Sequence, residues 1–458
     1  MLPILRLPRL AALMLALAAP SAAVAQDPAF TAAEAQVREE LARAGAPGVA
    51  VAVVRGDRVI YAQGFGVASA EIKTAVTPDT LFQIGSATKM LTAAALMSAH
   101  AAKSIDVDAP VSRYVNGLQP CVGAPTLRQL LSHTGGLMDE PDEFGPQGEE
   151  GLAAYPRTWT TEYCLLQPGR AFSYSNSGFA LGGLALQEAD KKPFADVMRA
   201  RIFDPLGMPR TTFRPTEAMT WPLAIGHRRD NAGAFSAVRP LPNDARLWPA
   251  GTVYSSAQEM ARFVIALLND GKVDGKQALP AGLASTVRTA VATIPTTGEQ
   301  YGLGQFLTER TFGHGGTMTG YTAQVGIDHV TGVGVVVLSN GDNAALTPIT
   351  QTLLRAAGVP AAPPPAPFIA AGGVVPDLQP YVGQYRNPRR FTVEVARSGD
   401  GLVLKRFGRD FPLRPAGPDR FLTDLPRGGT ETIAFGRGAD GRADYLQMNV
   451  WALARVGG

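Results

Sequence analysis

A chain of 458 residues, 46% apolar and 18% charged with a formal net charge of +3, is long enough to bury a sizeable core and to hold more than one domain. The apolar content excludes disorder throughout, Gly 50 and Pro 36 exclude a long coiled coil, and the weak charge bias gives no reason to expect a nucleic-acid partner.

Residues 1–25 carry Arg6 and Arg9, an apolar run from Leu10 to Ala19, and the small-residue ending Ala23, Val24, Ala25. This is the pattern of a removable secretory signal. The run falls short of the roughly 20 residues a spanning helix needs, and Pro20 and Ser21 close it. The mature chain is therefore expected in the periplasm or outside the cell, without stable membrane insertion. In an oxidising compartment Cys121 and Cys164 can form a disulfide or remain two buried thiols.

From Ala32 to Ala44, Val37 and Leu41 lie one helical turn apart and Gly45 ends the pattern, predicting a short amphipathic helix. Val49 to Val54 and Val59 to Phe65 are β-rich runs joined by a turn at Arg55 to Arg58, which predicts a hairpin. Ala87 to Ala99 reads as a helix that is apolar almost all round, hence central and buried, with Ser86 at its entry. Ala101 to Met208 reads as helix and loop. Strands return at Ala323 to Asp328 and Val333 to Ser339, around a turn on Thr331 and Gly332, and Leu346 to Ala356 reads as helical. Residues 358–376 are rich in Pro and Ala and predict a linker. Beyond it, residues 377–458 alternate with period two, as in Phe391, Val393 and Val395 or Leu402 and Leu404. Turns at Ser398 to Gly401, Gly417 to Asp419 and Gly438 to Gly441 punctuate them, predicting a small antiparallel barrel or sandwich.

Several common chemistries are absent from the sequence. There is no G-x-S-x-G elbow, no G-x-x-x-x-G-K-[ST] loop, no G-x-G-x-x-G after a strand and no H-E-x-x-H. Five scattered histidines and two distant cysteines offer no metal-ligand spacing. The segment Phe82 to Lys89 places Ser86 and Lys89 three apart where strand-rich sequence gives way to a buried helix, so the two side chains share a face. Unpaired N–H groups and the positive dipole end at a helix start suit a nucleophile and the oxyanion formed by its attack. A lysine in a dry pocket has its pKa depressed toward neutrality and can then take the serine proton. Alone, the pair reads as an N-cap serine with a surface lysine.

Two further groups follow: Tyr174, Ser175, Asn176 in a polar turn from Arg170 to Gly178, and His314, Gly315, Gly316 between predicted strands. In order and spacing, SATK, YSN and HGG resemble the three motifs of the serine β-lactamase and penicillin-binding superfamily, in its class C-like branch of D-amino peptidases and esterases. LRQLLSHTGGL from Leu127 and PGRAFSYSNSGFALGG from Pro168 are similar to stretches of that branch, and the resemblance spans Ala32 to Ala356.

It implies an α+β fold: a β-lactamase-like α/β sandwich of antiparallel sheet and all-helical region over 26–357, then a small antiparallel β-barrel over 377–458. By resemblance Ser86 is the acylated nucleophile and Lys89 its proton-relay partner. Tyr174 is the principal base, its pKa lowered by nearby cations, and Asn176 donates to the substrate amide and orients Lys89. Gly315 and Gly316 let substrate lie along a strand edge, and the backbone N–H groups of Ser86 and Thr317 form the oxyanion hole.

His314 stands where many relatives have a charged lysine, and its ordinary pKa places a titration near pH 6 to 7 and disfavours β-lactams. Read singly, Tyr174 also fits a half-buried turn, Asn176 an Asx turn and the glycines a bulge. His133 reads as a structural hydrogen-bonding residue, His227 and His329 as surface residues. The segment Tyr381, Val382, Gly383, Gln384, Tyr385 is similar to the entrance of lipocalin-like barrels appended in this branch. The implied protein is an exported serine hydrolase of small amides or esters, with carboxypeptidase- or aminopeptidase-like action on D-amino-acid peptides before carboxylic esters and β-lactams, needing no metal or organic cofactor. A slowly acylating penicillin sensor or scaffold is the alternative of another class. Its oligomeric state is left open.

Overall fold

The structure, a computed structural model, describes residues 28–140, 142–361, 377–426 and 428–457. The expected signal segment and nearly all of the expected linker lie outside the described residues. Within them, eight strands form one sheet: β1 (Gly48–Arg55), β2 (Arg58–Gly66), β3 (Ala292–Thr293), β4 (Gln300–Tyr301), β5 (Phe306–Leu307), β6 (Thr311–Met318), β7 (Tyr321–Asp328) and β8 (Val333–Ser339). They lie in the order β2-β1-β8-β7-β6-β5-β4-β3, so the first hairpin sits beside the last strand, with antiparallel pairing throughout. The expected hairpin and the β7–β8 pair are present.

Five helices reach ten residues among the described residues: α1 (Pro28–Ala44), α2 (Thr88–Ala101), α3 (Asn176–Asp190), α4 (Ala257–Leu268) and α5 (Thr347–Ala356). Helix α1 begins four residues before the predicted one because Phe30 adds to its buried stripe and a proline is tolerated in a first turn. The uninterrupted apolar run of β1 follows from burial on both faces. Val49, Val51 and Val53 pack with Phe30, Val37 and Leu41 of α1 and with Ile349 and Leu353 of α5. Ala50, Ala52 and Val54 turn to the larger core, which contains Met90 and Leu91 of α2, Phe179 and Leu184 of α3, and Met260 and Val264 of α4. Each valine so buried contributes roughly 1.5–3 kcal/mol relative to exposure. As expected, α2 is buried on nearly every side.

Between α2 and α3 the chain forms short helical turns and loops. Here Cys121 and Cys164 are joined in a disulfide, Cα atoms 6.1 Å apart across 43 residues of sequence. It fastens the segment in which Leu137 bridges to Cys164 beside the site.

The C-terminal strands β9 (Gly383–Asn387), β10 (Phe391–Ser398), β11 (Gly401–Arg406), β12 (Arg409–Pro415), β13 (Arg420–Asp424), β14 (Thr430–Arg437), β15 (Ala443–Met448) and β16 (Trp451–Arg455) close into an antiparallel barrel. Val393, Val395, Leu402 and Leu404 point inward as the alternation predicts, and meet Tyr385, Phe421 and Phe435 in a filled interior. No helix among the described residues is long and apolar enough to cross a membrane.

The disulfide limits the unfolded chain more than the folded one, a contribution of about 2–4 kcal/mol. Reduction, or Cys164→Ser, is expected to lower the unfolding midpoint in urea correspondingly, and equal midpoints with and without reductant would contradict this.

Candidate active site

The SATK segment enters α2 through a single 3-10 turn, Gly85–Ala87. Two glycines make this approach possible. Gly85 has φ +53° and a Cβ on it would stand 2.6 Å from Thr317 N, while one on Gly316 would stand 1.9 Å from Ile84 O and 3.1 Å from Ser86 N. The turn before α2 and strand β6 therefore cross at backbone contact, bringing the main chains of Ser86 and Thr317 together. Ser86 itself is partly exposed.

One turn on, Lys89 is 0% exposed. Its Nζ donates to Asn176 Oδ1 at 2.7 Å and to Ala250 O at 2.7 Å, and lies 3.1 Å from Ser86 Oγ. Burial is the main cause that brings its pKa down to about 7, while the charge of Asp139 acts the other way. A neutral amine has two N–H donors and one lone pair. The two carbonyl oxygens take the donors, so the lone pair is left for the Ser86 hydroxyl.

Asn176 is the first residue of α3, capped by the Ser175 hydroxyl, which accepts from Gly178 N at 3.1 Å. The sequence pattern placed it in a turn. The helix begins there because an N-cap serine is followed by a run that is apolar on all sides. Asn176 Nδ2 donates to Glu140 O at 3.0 Å and its backbone N–H to Asp139 Oδ1 at 2.8 Å. The Asn176 side chain thus bridges the Lys89 amine and the carbonyl of Glu140.

Tyr174 is held from behind by His133. Ser173 N donates to His133 O at 2.8 Å and Ser175 N to His133 Nδ1 at 3.0 Å, one on each side of the tyrosine. With Nδ1 accepting, Nε2 carries the hydrogen and donates to Tyr301 Oη at 3.1 Å. The His133 ring packs 4.2 Å from the Tyr174 ring, and burial holds its pKa well below 6.5. His133 is thus a structural hydrogen-bonding residue, as read from the sequence.

Three expectations need correction. Tyr174 does not have a lowered pKa: burial drives it above the ordinary 10, outweighing its hydrogen bond with Ser86 and the charge of Arg390. His314 lies inside β6 rather than between strands, and does not titrate between pH 6 and 7. Burial, then the charge of Lys89, lower it to about 3, with the rings of Phe306, Tyr174 and Tyr301 5.1, 6.1 and 6.1 Å away. Its Nδ1 faces Gly315 O at 2.5 Å and so donates, leaving Nε2 as a buried acceptor without a protein partner among the described residues. His227 is not a surface residue; it is 0% exposed and its Nε2 accepts from Ala70 N at 3.1 Å. A three-residue strand beside Gly341 buries it, too short a feature to leave a periodic signal. His329 is exposed as expected.

The structure thus brings Ser86, Lys89, Tyr174, Asn176, His314, Gly315, Gly316 and Thr317 to one place, while Cys121 and Cys164 are joined in the disulfide. Sequence reasoning missed Ala250, which contributes only a carbonyl, and Asp139, which lies two residues past the LRQLLSHTGGL stretch. Among the described residues no cluster of three His, Cys, Asp or Glu could hold a metal ion.

Residues 33–358 match the family model described as Beta-lactamase. Penicillin-binding protein 4 of Amycolatopsis lactamdurans is 28% identical over 317 residues, 64% of this chain and 81% of that protein. The D-aminopeptidase of Gluconobacter oxydans is 28% identical over 348 residues, 72% of this chain and 62% of that protein. The crystal structure of SurE with D-Leu is 26% identical with a TM-score of 0.75, covering 94% of this chain and 100% of that one, so the likeness takes in the barrel.

Because Lys89 has a folded pKa of about 7 against 10.5 ordinarily, the unfolded chain binds the extra proton between those values. Stability on this account rises with pH across that window and is reduced below it. Relative to Lys89→Met, the wild-type unfolding free energy is expected to rise by up to about 1.4 kcal/mol per pH unit between pH 7 and 10. Parallel curves for the two proteins would contradict a buried neutral amine.

Proposed function

This chain belongs to the beta-lactamase family, and from that premise we propose that it is an exported serine hydrolase acting through an acyl-enzyme on Ser86. The observation that carries this is the surroundings of Lys89: two carbonyl acceptors fix its N–H groups and its lone pair faces Ser86 Oγ at 3.1 Å. In the proposed cycle the neutral amine takes the Ser86 proton as Oγ attacks the substrate carbonyl. The backbone N–H groups of Ser86 and Thr317 stabilise the oxyanion, each donor of this kind being worth about 3–4 kcal/mol. Tyr174, whose burial favours the protonated phenol, passes its proton to the leaving group and takes back the serine-derived proton from the Lys89 ammonium, so that both groups are neutral again in the acyl-enzyme, rather than acting as principal base. Water then releases the acyl group by the same steps in reverse. No metal or organic cofactor is needed.

We assign the substrates to small amides and esters of D-configured amino acids. The D-aminopeptidase relative and the SurE structure with D-Leu support the configuration. His314 supports an uncharged carboxyl end. A neutral ring presenting a bare acceptor attracts a substrate N–H or O–H donor and gives no charge attraction for a free carboxylate. Amidase, aminopeptidase or esterase action therefore fits better than carboxypeptidase or β-lactamase action.

A panel of a D-amino-acid amide, a nitrophenyl ester, a D-Ala-D-Ala peptide and a chromogenic cephalosporin tests both parts. The amide and ester are expected to have the higher kcat/KM, and Ser86→Ala to lose at least about 10³-fold in turnover. The acid limb of kcat/KM is expected near pH 7 and to persist in His314→Asn, since it belongs to Lys89. Stable labelling without turnover would mean a sensor, and loss of the limb in His314→Asn would return it to the histidine.

A further inference from the structure

A buried carboxylate links the barrel to the site. Asp139 is 0% exposed. Its Oδ1 accepts from the backbone N–H of Asn176, the residue that fixes Lys89, at 2.8 Å. Its Oδ2 accepts from two residues of the barrel: Trp451 Nε1 at 3.1 Å, and Arg390 through Nε at 3.0 Å and through a second guanidinium nitrogen. Arg390 lies in the turn from β9 to β10, Trp451 begins β16, and the guanidinium carbon sits 4.5 Å from the Trp451 ring centroid.

The same β15–β16 turn reaches the loop that carries Tyr174. Val450 O accepts from Tyr174 N at 2.8 Å, Ala452 N donates to Ser173 Oγ at 3.1 Å, and Asn449 O accepts from Thr296 Oγ1 at 2.7 Å. Val450 also packs in the small cluster of Phe172, Tyr174 and Tyr301.

A buried carboxylate needs a compensating charge, and removing one partner of such a pair leaves the other uncompensated. The catalytic domain offers Asp139 a neutral amide; the cation comes from the barrel. We propose that Arg390 and Trp451 of the C-terminal barrel are positioning residues of the catalytic site, holding and neutralising Asp139 so that Asn176 stays against Lys89. The proposal rests on the Ser86–Lys89 reading above and concerns what the barrel adds to it.

Its electrostatic consequence is directional. The groups around Lys89 are Ser86, Tyr174 and Asn176, the neutral rings of His133 and His314, and Asp139 as the carboxylate acting on it. Glu140 nearby is engaged elsewhere, by Tyr155 at 2.5 Å, Tyr163 at 3.4 Å and Arg389 at 3.6 Å. Without Arg390 the full charge of Asp139 favours protonated Lys89, and the amine becomes available as a base only at higher pH.

The rate of Ser86 labelling by a fluorophosphonate probe, followed from pH 5 to 10 on the full chain, reads this without a known substrate. Arg390→Gln is expected to move the acid limb up by about one pH unit, slowing labelling roughly tenfold at pH 6, with rates converging on wild type by pH 9 to 10. Arg390→Lys should restore most of the shift, and Asp139→Asn added to Arg390→Gln should return the limb toward wild type. Trp451→Phe keeps the ring over Arg390 and removes only the Nε1 donor; it should slow labelling several-fold, and carries the test should Arg390→Gln not fold. An unmoved limb in Arg390→Gln, or for the second variant a wild-type rate in Trp451→Phe, would overturn the barrel's role. Labelling that persists in Ser86→Ala would instead remove the reading on which it rests.

Discussion

An amine buried without a carboxylate in contact with it is the constraint around which this protein is arranged. An ammonium at that depth would need a close counter-ion, and Lys89 is offered two carbonyl oxygens instead. The neutral form is thereby favoured, and with it a lone pair aimed at a serine. The apolar wrapping of α2 removes water, α3 begins at Asn176, whose side-chain oxygen takes one of the amine's hydrogens, and the carbonyl of Ala250 takes another. Loss of any of these lets in water or leaves a donor unpaired, and the amine returns to its ordinary charged state.

The rest of the fold supplies rigid backing for this arrangement. Helices on both faces bury β1 and β8 and fix the sheet, whose strand β6 then runs beside the entry to α2. His133 uses a carbonyl and a ring nitrogen to hold the main chain on either side of Tyr174, so the phenol is aimed by its own backbone. The imidazole can do this only while neutral, and burial among Phe172, Tyr174, Phe179 and Tyr301 keeps it so. His133 and His314, both within the field of the lysine, are thereby tuned as hydrogen-bonding groups with fixed tautomers rather than as proton carriers.

Much of the architecture was legible in the sequence wherever a local period expressed it. The hairpin at Arg55 to Arg58, the all-round apolar α2 and the alternation at Val393 and Val395 depend on neighbours within a few residues. The membership of Ser86, Lys89, Tyr174 and His314 in one constellation was legible through the order and spacing of three short motifs. What those residues do electrostatically was not, because burial is contributed by distant segments. Tyr174 looked accessible to cations, yet Phe172 and Val450 cover it from loop and barrel. His314 read as an ordinary imidazole until Phe306 and Tyr301, from strands two residues long, closed over it. Ala250 matters through one carbonyl oxygen and Asp139 through the partners of its two carboxylate oxygens, positions that no local pattern encodes.

The crossing of β6 over the entry to α2 has a further consequence. Since a methyl at Gly316 would stand 1.9 Å from Ile84 O, the separation of the Ser86 and Thr317 main chains is set by hydrogen atoms on two glycines, with no side chain between them as a spacer. The width of the gap between these two main chains is thus written into the backbone. It cannot be retuned by exchanging one amino acid for another of similar size, and variation in what the protein accepts must come from the rim around this fixed gap.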